Sequence, residues 1–234
     1  FAVGLILTLS HWGSDEQTEA APSYYLPSST DDHSSLDVLK KKFESGRELT
    51  EACLSCHNLA AKQVHKSTHW NWEFPNSKTG QLLGKRNILN STLIAISSNG
   101  PYCARCHISN EWKDESFDFA AEEQVDCLAC HDTTGTYASK KMHQLRVKCS
   151  ACHMEFDKSK AREVVRRPDF SELAKHVGKP NIAACGSCHF YSDGGDGIKH
   201  GDLDSSLATA TRSLDVHMAK DGFGYSCTTC HKAE

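Results

Sequence analysis

The chain has 234 residues, 26 Lys and Arg against 30 Asp and Glu, a formal charge of −4 and 38% hydrophobic residues. That balance offers no basic face to phosphates, which argues against nucleic acid as a partner. Twelve cysteines and 14 histidines are out of place in an ordinary cytosolic enzyme, where reducing buffers leave thiols without a purpose. In chain order, residues 1–12 (FAVGLILTLSHW) begin with an apolar run of about nine residues. A membrane-spanning helix needs roughly 20, so the chain is not expected to span a membrane. The run is like the apolar region of a signal peptide, without an initiating methionine or a basic segment. It is read as the end of a processed chain or the remnant of an export segment. Residues 13–35 are polar and rich in Ser, Thr, Asp and Pro, a linker composition. The chain is therefore divided into a tail and linker, 1–35, and one domain, 36–234.

Within that domain a short helix is predicted from Ser34 to Gly46, with Leu36, Leu39 and Phe43 on one face and Gly46 closing it. A second is predicted from Thr50 to about His69, placing His65 and His69 four apart on one helix face. Residues 75–101 hold Pro75, Gly80, Gly84, Gly100 and Pro101 and read as irregular loop. Residues 115–131 and 171–177 read as further short helices. No sustained period of two announces a large sheet. The run of Asp193, Asp196, Asp202 and Asp204 with its glycines reads as a polar turn rather than a calcium loop.

All 12 cysteines fall in Cys-x-x-Cys-His pentapeptides: Cys53-Cys56-His57, Cys103-Cys106-His107, Cys127-Cys130-His131, Cys149-Cys152-His153, Cys185-Cys188-His189 and Cys227-Cys230-His231. This is the attachment signature of c-type haem. Two thiols one helical turn apart add to the two vinyl groups of the porphyrin, and the next histidine lies under the iron as proximal ligand. Zinc ribbons do not require a histidine after each cysteine pair, and a redox dithiol occurs once. Six haems c are therefore expected, with about 39 residues of chain for each. A mean hydropathy of −0.51 leaves too few apolar side chains for a core of this size, so the porphyrins are expected to supply it. The predicted fold is mostly α with extensive loops, its short helices wrapped around a stacked haem core. Ionised propionates would bring the loaded protein to a charge of about −10, by charge counting.

Eight further histidines, His11, His33, His65, His69, His143, His176, His200 and His217, are candidates for six distal positions. Methionine is the usual competitor, and only Met142, Met154 and Met218 are present. Irons held by two histidines pass electrons and do not bind substrate, whereas a reductase needs an open position. The ligand inventory thus favours electron transfer.

Several stretches resemble the octahaem tetrathionate reductase family, relatives of hydroxylamine oxidoreductase. They are residues 67–74 (STHWNWEF), 112–119 (WKDESFDF), 125–137 (VDCLACHDTTGTY), 176–180 (HVGKP), 185–191 (CGSCHFY), 199–207 (KHGDLDSSL) and 215–222 (DVHMAKDG). The resemblance covers roughly residues 50–231. It departs from the family in having six motifs where members carry eight, and in a segment at about 138–170, holding Cys149, Cys152 and His153, that looks inserted. The resemblance implies that a lysine following the motif of His131 ligates the iron attached at the preceding motif, that of His107. Lys140 or Lys141 matches that place, and His143 equally replaces it. If histidine has replaced lysine there, the resemblance implies a reductase scaffold converted to electron transfer.

The expected function is that of an exported, periplasmic or extracellular, electron-transfer cytochrome serving redox partner proteins or extracellular acceptors. One version is a homopolymeric filament in which His11 or His33 ligates a haem of the next subunit. The alternative is a reductase of nitrite, hydroxylamine or tetrathionate at the haem of His107. A zinc protein is the third reading.

Overall fold

The structure, a computed structural model, describes residues 31–84, 106–110, 112, 116–137, 168–190, 196–197 and 201–231. Its helices are short: α1 (Gly46–Leu54), α2 (Ala60–Lys66), α3 (Thr68–Asn71), α4 (Leu128–His131), α5 (Phe170–Ala174), α6 (Ile182–His189) and α7 (Cys227–Cys230). Four 3-10 turns accompany them, at His33–Ser35, Asp37–Leu39, Glu122–Gln124 and Ser205–Thr209. The fold is the mostly helical, loop-rich one expected.

Several boundaries differ from expectation, each for a local reason. Gly46 opens α1 and closes nothing. Ser45 is its N-cap, the hydroxyl accepting from the Glu48 N–H at 3.2 Å, while the Glu48 carboxylate accepts from the Glu44 N–H at 2.9 Å. Residues 34–45 accordingly form two 3-10 turns and a bend, with Leu39 and Phe43 still buried. The helix expected from Thr50 to His69 is three helices. Ser67 breaks the last two apart: its backbone is extended (φ −80°, ψ 158°) and its hydroxyl donates to the Val64 carbonyl at 2.7 Å. His65 and His69 therefore sit on α2 and α3 and not on one helix face.

Part of the expected loop at 75–101 is a small antiparallel ribbon, β1 (Glu73–Pro75) with β2 (Leu82–Gly84), pairing Phe74 with Leu83. Its turn closes on the Gly80 N–H donating to the Asn76 carbonyl at 2.8 Å, with Gly80 at φ +71°. Three-residue strands are too short to show a period in the sequence. Of the helix read at 115–131, the structure forms the turn at 122–124 and α4.

Two apolar clusters hold the elements. Leu39, Phe43, Leu49, Ala52, Leu128, Tyr137, Leu173 and Ala174 join α1, α4 and α5, with Cys53, Phe170 and Val177 packed against them. Ala61, Trp70 and Val125 form the second, with Leu54, Val64, Ile108, Phe117 and Phe119 around it. Trp70 is 3% exposed and its indole N–H donates to the Phe119 carbonyl at 3.1 Å, which satisfies the polar end of a buried ring.

A buried polar junction ties the two clusters. The Thr50 hydroxyl donates to the Val125 carbonyl at 2.7 Å. The Asn110 amide donates to Thr50 Oγ1 at 3.2 Å, to the Val125 carbonyl at 2.9 Å and to the Glu123 carbonyl at 3.1 Å. Beside it Ser109 and Val125 form an antiparallel bridge, so the chain leaving the second cysteine motif is paired with the chain entering the third.

Candidate functional site

The fully described motifs share one local geometry. In three of them the N–H of the histidine donates to the carbonyl of the first cysteine: His57 to Cys53 at 2.8 Å, His131 to Cys127 at 3.0 Å and His231 to Cys227 at 2.9 Å. The motif of His189 lies within the last turns of α6. One helical turn thus carries the two cysteines and the histidine on a common face, since positions three and four apart are neighbours. Of the second motif, Cys106 and His107 are described, the imidazole 4.4 Å from the Trp112 ring, while Cys103 lies outside the described residues. Cys149, Cys152 and His153 lie outside them as well.

Two motif histidines are fixed in tautomer and direction. His131 donates from Nδ1 to the Gly178 carbonyl at 2.7 Å, and the Gly178 N–H returns a bond to the His131 carbonyl at 2.9 Å. His189 donates from Nδ1 to the Gly201 carbonyl at 2.6 Å, and the Leu203 N–H donates to the His189 carbonyl at 2.8 Å. A carbonyl only accepts, so Nδ1 carries a proton, and Nε2 is the nitrogen left to a metal. Gly201 reaches this position at φ +84°, a conformation that favours glycine.

Two candidate distal histidines lie beside motif histidines. The ring centres of His33 and His57 are 6.3 Å apart with planes at 19°, and those of His69 and His189 are 6.4 Å apart with planes at 87°. A first-row metal takes an imidazole nitrogen at about 2.0 Å, and that nitrogen lies about 1.1 Å from its ring centre. Two imidazoles holding one iron from opposite sides would therefore stand about 6.2 Å apart, centre to centre. His33 is also anchored through Nδ1, to the Asp31 carbonyl at 3.2 Å. The residues present fit haem iron held by two histidines.

The other candidates are placed differently. His65 packs its ring 4.6 Å from Trp70. His176 holds Nε2 at 3.1 Å from the Glu172 carboxylate, and its neighbour Gly178 serves His131. His217 lies 5.9 Å from the Phe223 ring, with Nδ1 3.5 Å from Asp215. His11, His143, His200, Lys140 and Lys141 lie outside the described residues.

The first cysteines of different motifs meet. The Cys53 thiol engages Cys127; that hydrogen bond and burial push Cys53 well up, and the same bond draws Cys127 down against the effect of its own burial. Thr50 Oγ1, one turn before Cys53, lies 3.6 Å from Cys127 Sγ. Cys185 is likewise pushed up by its hydrogen bond with Cys227, which is lowered to about 6 by the same bond. Among the described residues no group of three or more His, Cys, Asp and Glu side chains is gathered as a metal-ion cage. The sequence names Thr50 only as a helix start and holds Gly178 and Gly201 only within the stretches 176–180 and 199–207, with no anchoring role for any of them or for Asn110. Their one signal is a glycine just after His176 and His200.

Among the described residues no helix is long and apolar enough to cross a membrane. No family model matches the chain. A relative from Archaeoglobus fulgidus, described as an uncharacterized protein, is 26% identical over 95% of this chain and 84% of its own length. The crystal structure of an octaheme cytochrome c from Shewanella oneidensis superposes with a TM-score of 0.60 and 41% identity over 86% of this chain. The chain spans 41% of the length of that octahaem protein. By sequence and by fold, the chain is similar to a multihaem cytochrome c.

Proposed function

We propose that the chain is an exported electron-transfer protein carrying six covalently attached haems c, predominantly with two histidine ligands per iron. The observation that carries this reading is the spacing of His33–His57 and His69–His189, 6.3 and 6.4 Å between ring centres, with Nδ1 of His33 and of His189 each engaged by a backbone carbonyl. Cys53, Cys56, Cys103, Cys106, Cys127, Cys130, Cys149, Cys152, Cys185, Cys188, Cys227 and Cys230 would hold the porphyrins as thioethers. His57, His107, His131, His153, His189 and His231 would supply the proximal nitrogens. Haem supplies a one-electron iron couple when bound.

The chain's own residues position and insulate those groups. The Gly178 and Gly201 carbonyls hold the imidazoles of His131 and His189 in one orientation, so little rearrangement accompanies a change of iron charge. The meeting of Cys53 with Cys127, and of Cys185 with Cys227, would bring vinyl-bearing porphyrin edges of different motifs side by side. Once alkylated, these sulfurs no longer titrate, and the pairing of a raised with a lowered thiol applies to the haem-free chain alone. Redox partner proteins or extracellular acceptors would take the electrons, in the periplasm or outside the cell.

A filament remains one version of this reading. His33 is accounted for beside His57 of its own chain, which leaves His11 to reach a neighbouring subunit. Unchanged assembly of the His11→Ala protein would remove that version. The second reading, a reductase of nitrite, hydroxylamine or tetrathionate at the haem of His107, is supported by the stretches that resemble the octahaem tetrathionate reductase family and by the aromatic wall of Trp112, Phe117 and Phe119 near His107. Lys140 and Lys141 are its candidate ligands. The test is a reduced holoprotein mixed with each oxyanion. Electron transfer predicts low-spin spectra unchanged by the substrates and no turnover. Turnover with a high-spin or lysine-ligated iron would replace it with the reductase.

A further inference from the structure

We infer that His33 and His57 are the two axial ligands of one iron and that His69 and His189 are those of another, with imidazole planes nearly parallel at the first and nearly perpendicular at the second. The inference rests on the proposed haem binding and deepens it, because it assigns which distal histidine serves which motif and what kind of iron results.

Both pairs are built by elements whose positions do not depend on the imidazoles. His33 sits in the turn His33–Ser35, capped by the Asp32 carboxylate accepting from the Ser34 N–H at 3.0 Å and closed by the Leu36 N–H on the His33 carbonyl at 3.3 Å. That turn leads into buried Leu39 and Phe43, which pack in the cluster that also holds α1, the helix of the first motif. His69 is on α3, whose adjacent Trp70 is buried and hydrogen-bonded to the Phe119 carbonyl. His189 ends α6, whose N-cap is Asn181 accepting from the Ala184 N–H at 2.8 Å, and its Nδ1 is held by Gly201. One imidazole of each pair is thus held in orientation through Nδ1, His33 by the Asp31 carbonyl and His189 by the Gly201 carbonyl, and the planes meet at 19° and 87°.

The angle has an electronic consequence. Each imidazole interacts with one of the two iron orbitals of π symmetry, chosen by its plane. Parallel planes act on the same orbital and split the pair, giving a rhombic low-spin ferric signal. Perpendicular planes act on one each and leave them nearly degenerate, giving a strongly anisotropic signal with a large maximum g value. The second pair also spans from residue 69 to residue 189. Its iron would therefore cross-link α3 to α6, two elements far apart in sequence.

The test is electron paramagnetic resonance of the oxidised holoprotein, as wild type, His33→Ala and His69→Ala, with haem content measured by pyridine haemochrome. His69→Ala is expected to lose one strongly anisotropic component and gain one high-spin component, about one iron in six by the motif count. His33→Ala is expected to lose one rhombic component to the same extent. If an alanine variant does not fold, His33→Met or His69→Met takes its place. A methionine ligand keeps the iron low-spin and shifts that one haem to higher potential. Full haem content with unchanged spectra, or the two variants removing the opposite components, would overturn the ligand assignment alone. Absence of haem from the wild type would overturn the proposed function and this assignment with it.

Discussion

Replacing Thr50 by valine tests the junction that joins three cysteine motifs. Thr50 is 1% exposed, and valine keeps its shape while deleting the hydroxyl. Two hydrogen bonds go, the one donated to the Val125 carbonyl at 2.7 Å and the one accepted from Asn110 at 3.2 Å, together with the weaker 3.6 Å contact to Cys127 Sγ. Neither former partner is orphaned. The Val125 carbonyl keeps the Asn110 amide at 2.9 Å, and that amide keeps the Glu123 carbonyl at 3.1 Å. The loss is therefore the net worth of the bonds without a desolvation penalty, about 1–2 kcal/mol. Asn110→Ala removes all three donated bonds and opens a void beside Gly46, where an added Cβ would collide with the Asn110 side chain. It should cost more, about 2–4 kcal/mol. The two residues share the Val125 carbonyl, so the double variant should fall short of additivity by about 1 kcal/mol. Guanidinium unfolding of the holoprotein followed by far-ultraviolet circular dichroism measures all three. A Thr50→Val protein as stable as wild type, with an additive cycle, would refute the junction as a structural tie.

Other substitutions probe other links. Tyr137 is buried and donates to the Asp126 carboxylate at 2.8 Å, and burial followed by that neighbouring charge holds its hydroxyl well above the usual phenol range. A raised folded pKa means that the stability it confers is present below the unfolded phenol pKa of about 10 and is lost as pH rises beyond it. The melting temperature should fall above about pH 10 in the wild type and fall less in Tyr137→Phe, which should itself be less stable by about 1–2 kcal/mol at neutral pH. Gly201→Ala places an L residue at φ +84°, costing about 1–2 kcal/mol in the same unfolding measurement, and should broaden the spectrum of the iron served by His189. Trp70→Ala empties the centre of the second cluster and should cost about 3–5 kcal/mol, with a change at His65, whose ring lies 4.6 Å from Trp70.

The chemistry of the chain was legible in its sequence because covalent attachment of haem demands a fixed local spacing, and the spacing recurs. The helical, loop-rich class followed from the absence of any strand period. Boundaries were less legible. The pattern of Ser45 three residues before Glu48 is a capping signature and was present, but Gly46 between them was read as a terminator. Ser67 looks like any polar residue on a helix surface until its extended backbone and its bond to Val64 show that the helix ends there. The spacing of His65 and His69 then misleads, because it presumes one continuous helix. Pairings such as His33 with His57, or His69 with His189, leave no local trace at all. They arise from tertiary packing across tens to more than a hundred residues, as do the Gly178 and Gly201 carbonyls behind the motif histidines.

The most direct test of the account is the haem and thiol count of the purified holoprotein. Pyridine haemochrome analysis with intact mass should give six haems per chain, and thiol titration of the unfolded protein should find none of the 12 cysteines free. A chain without haem, carrying zinc or reactive thiols at those cysteines, would contradict it.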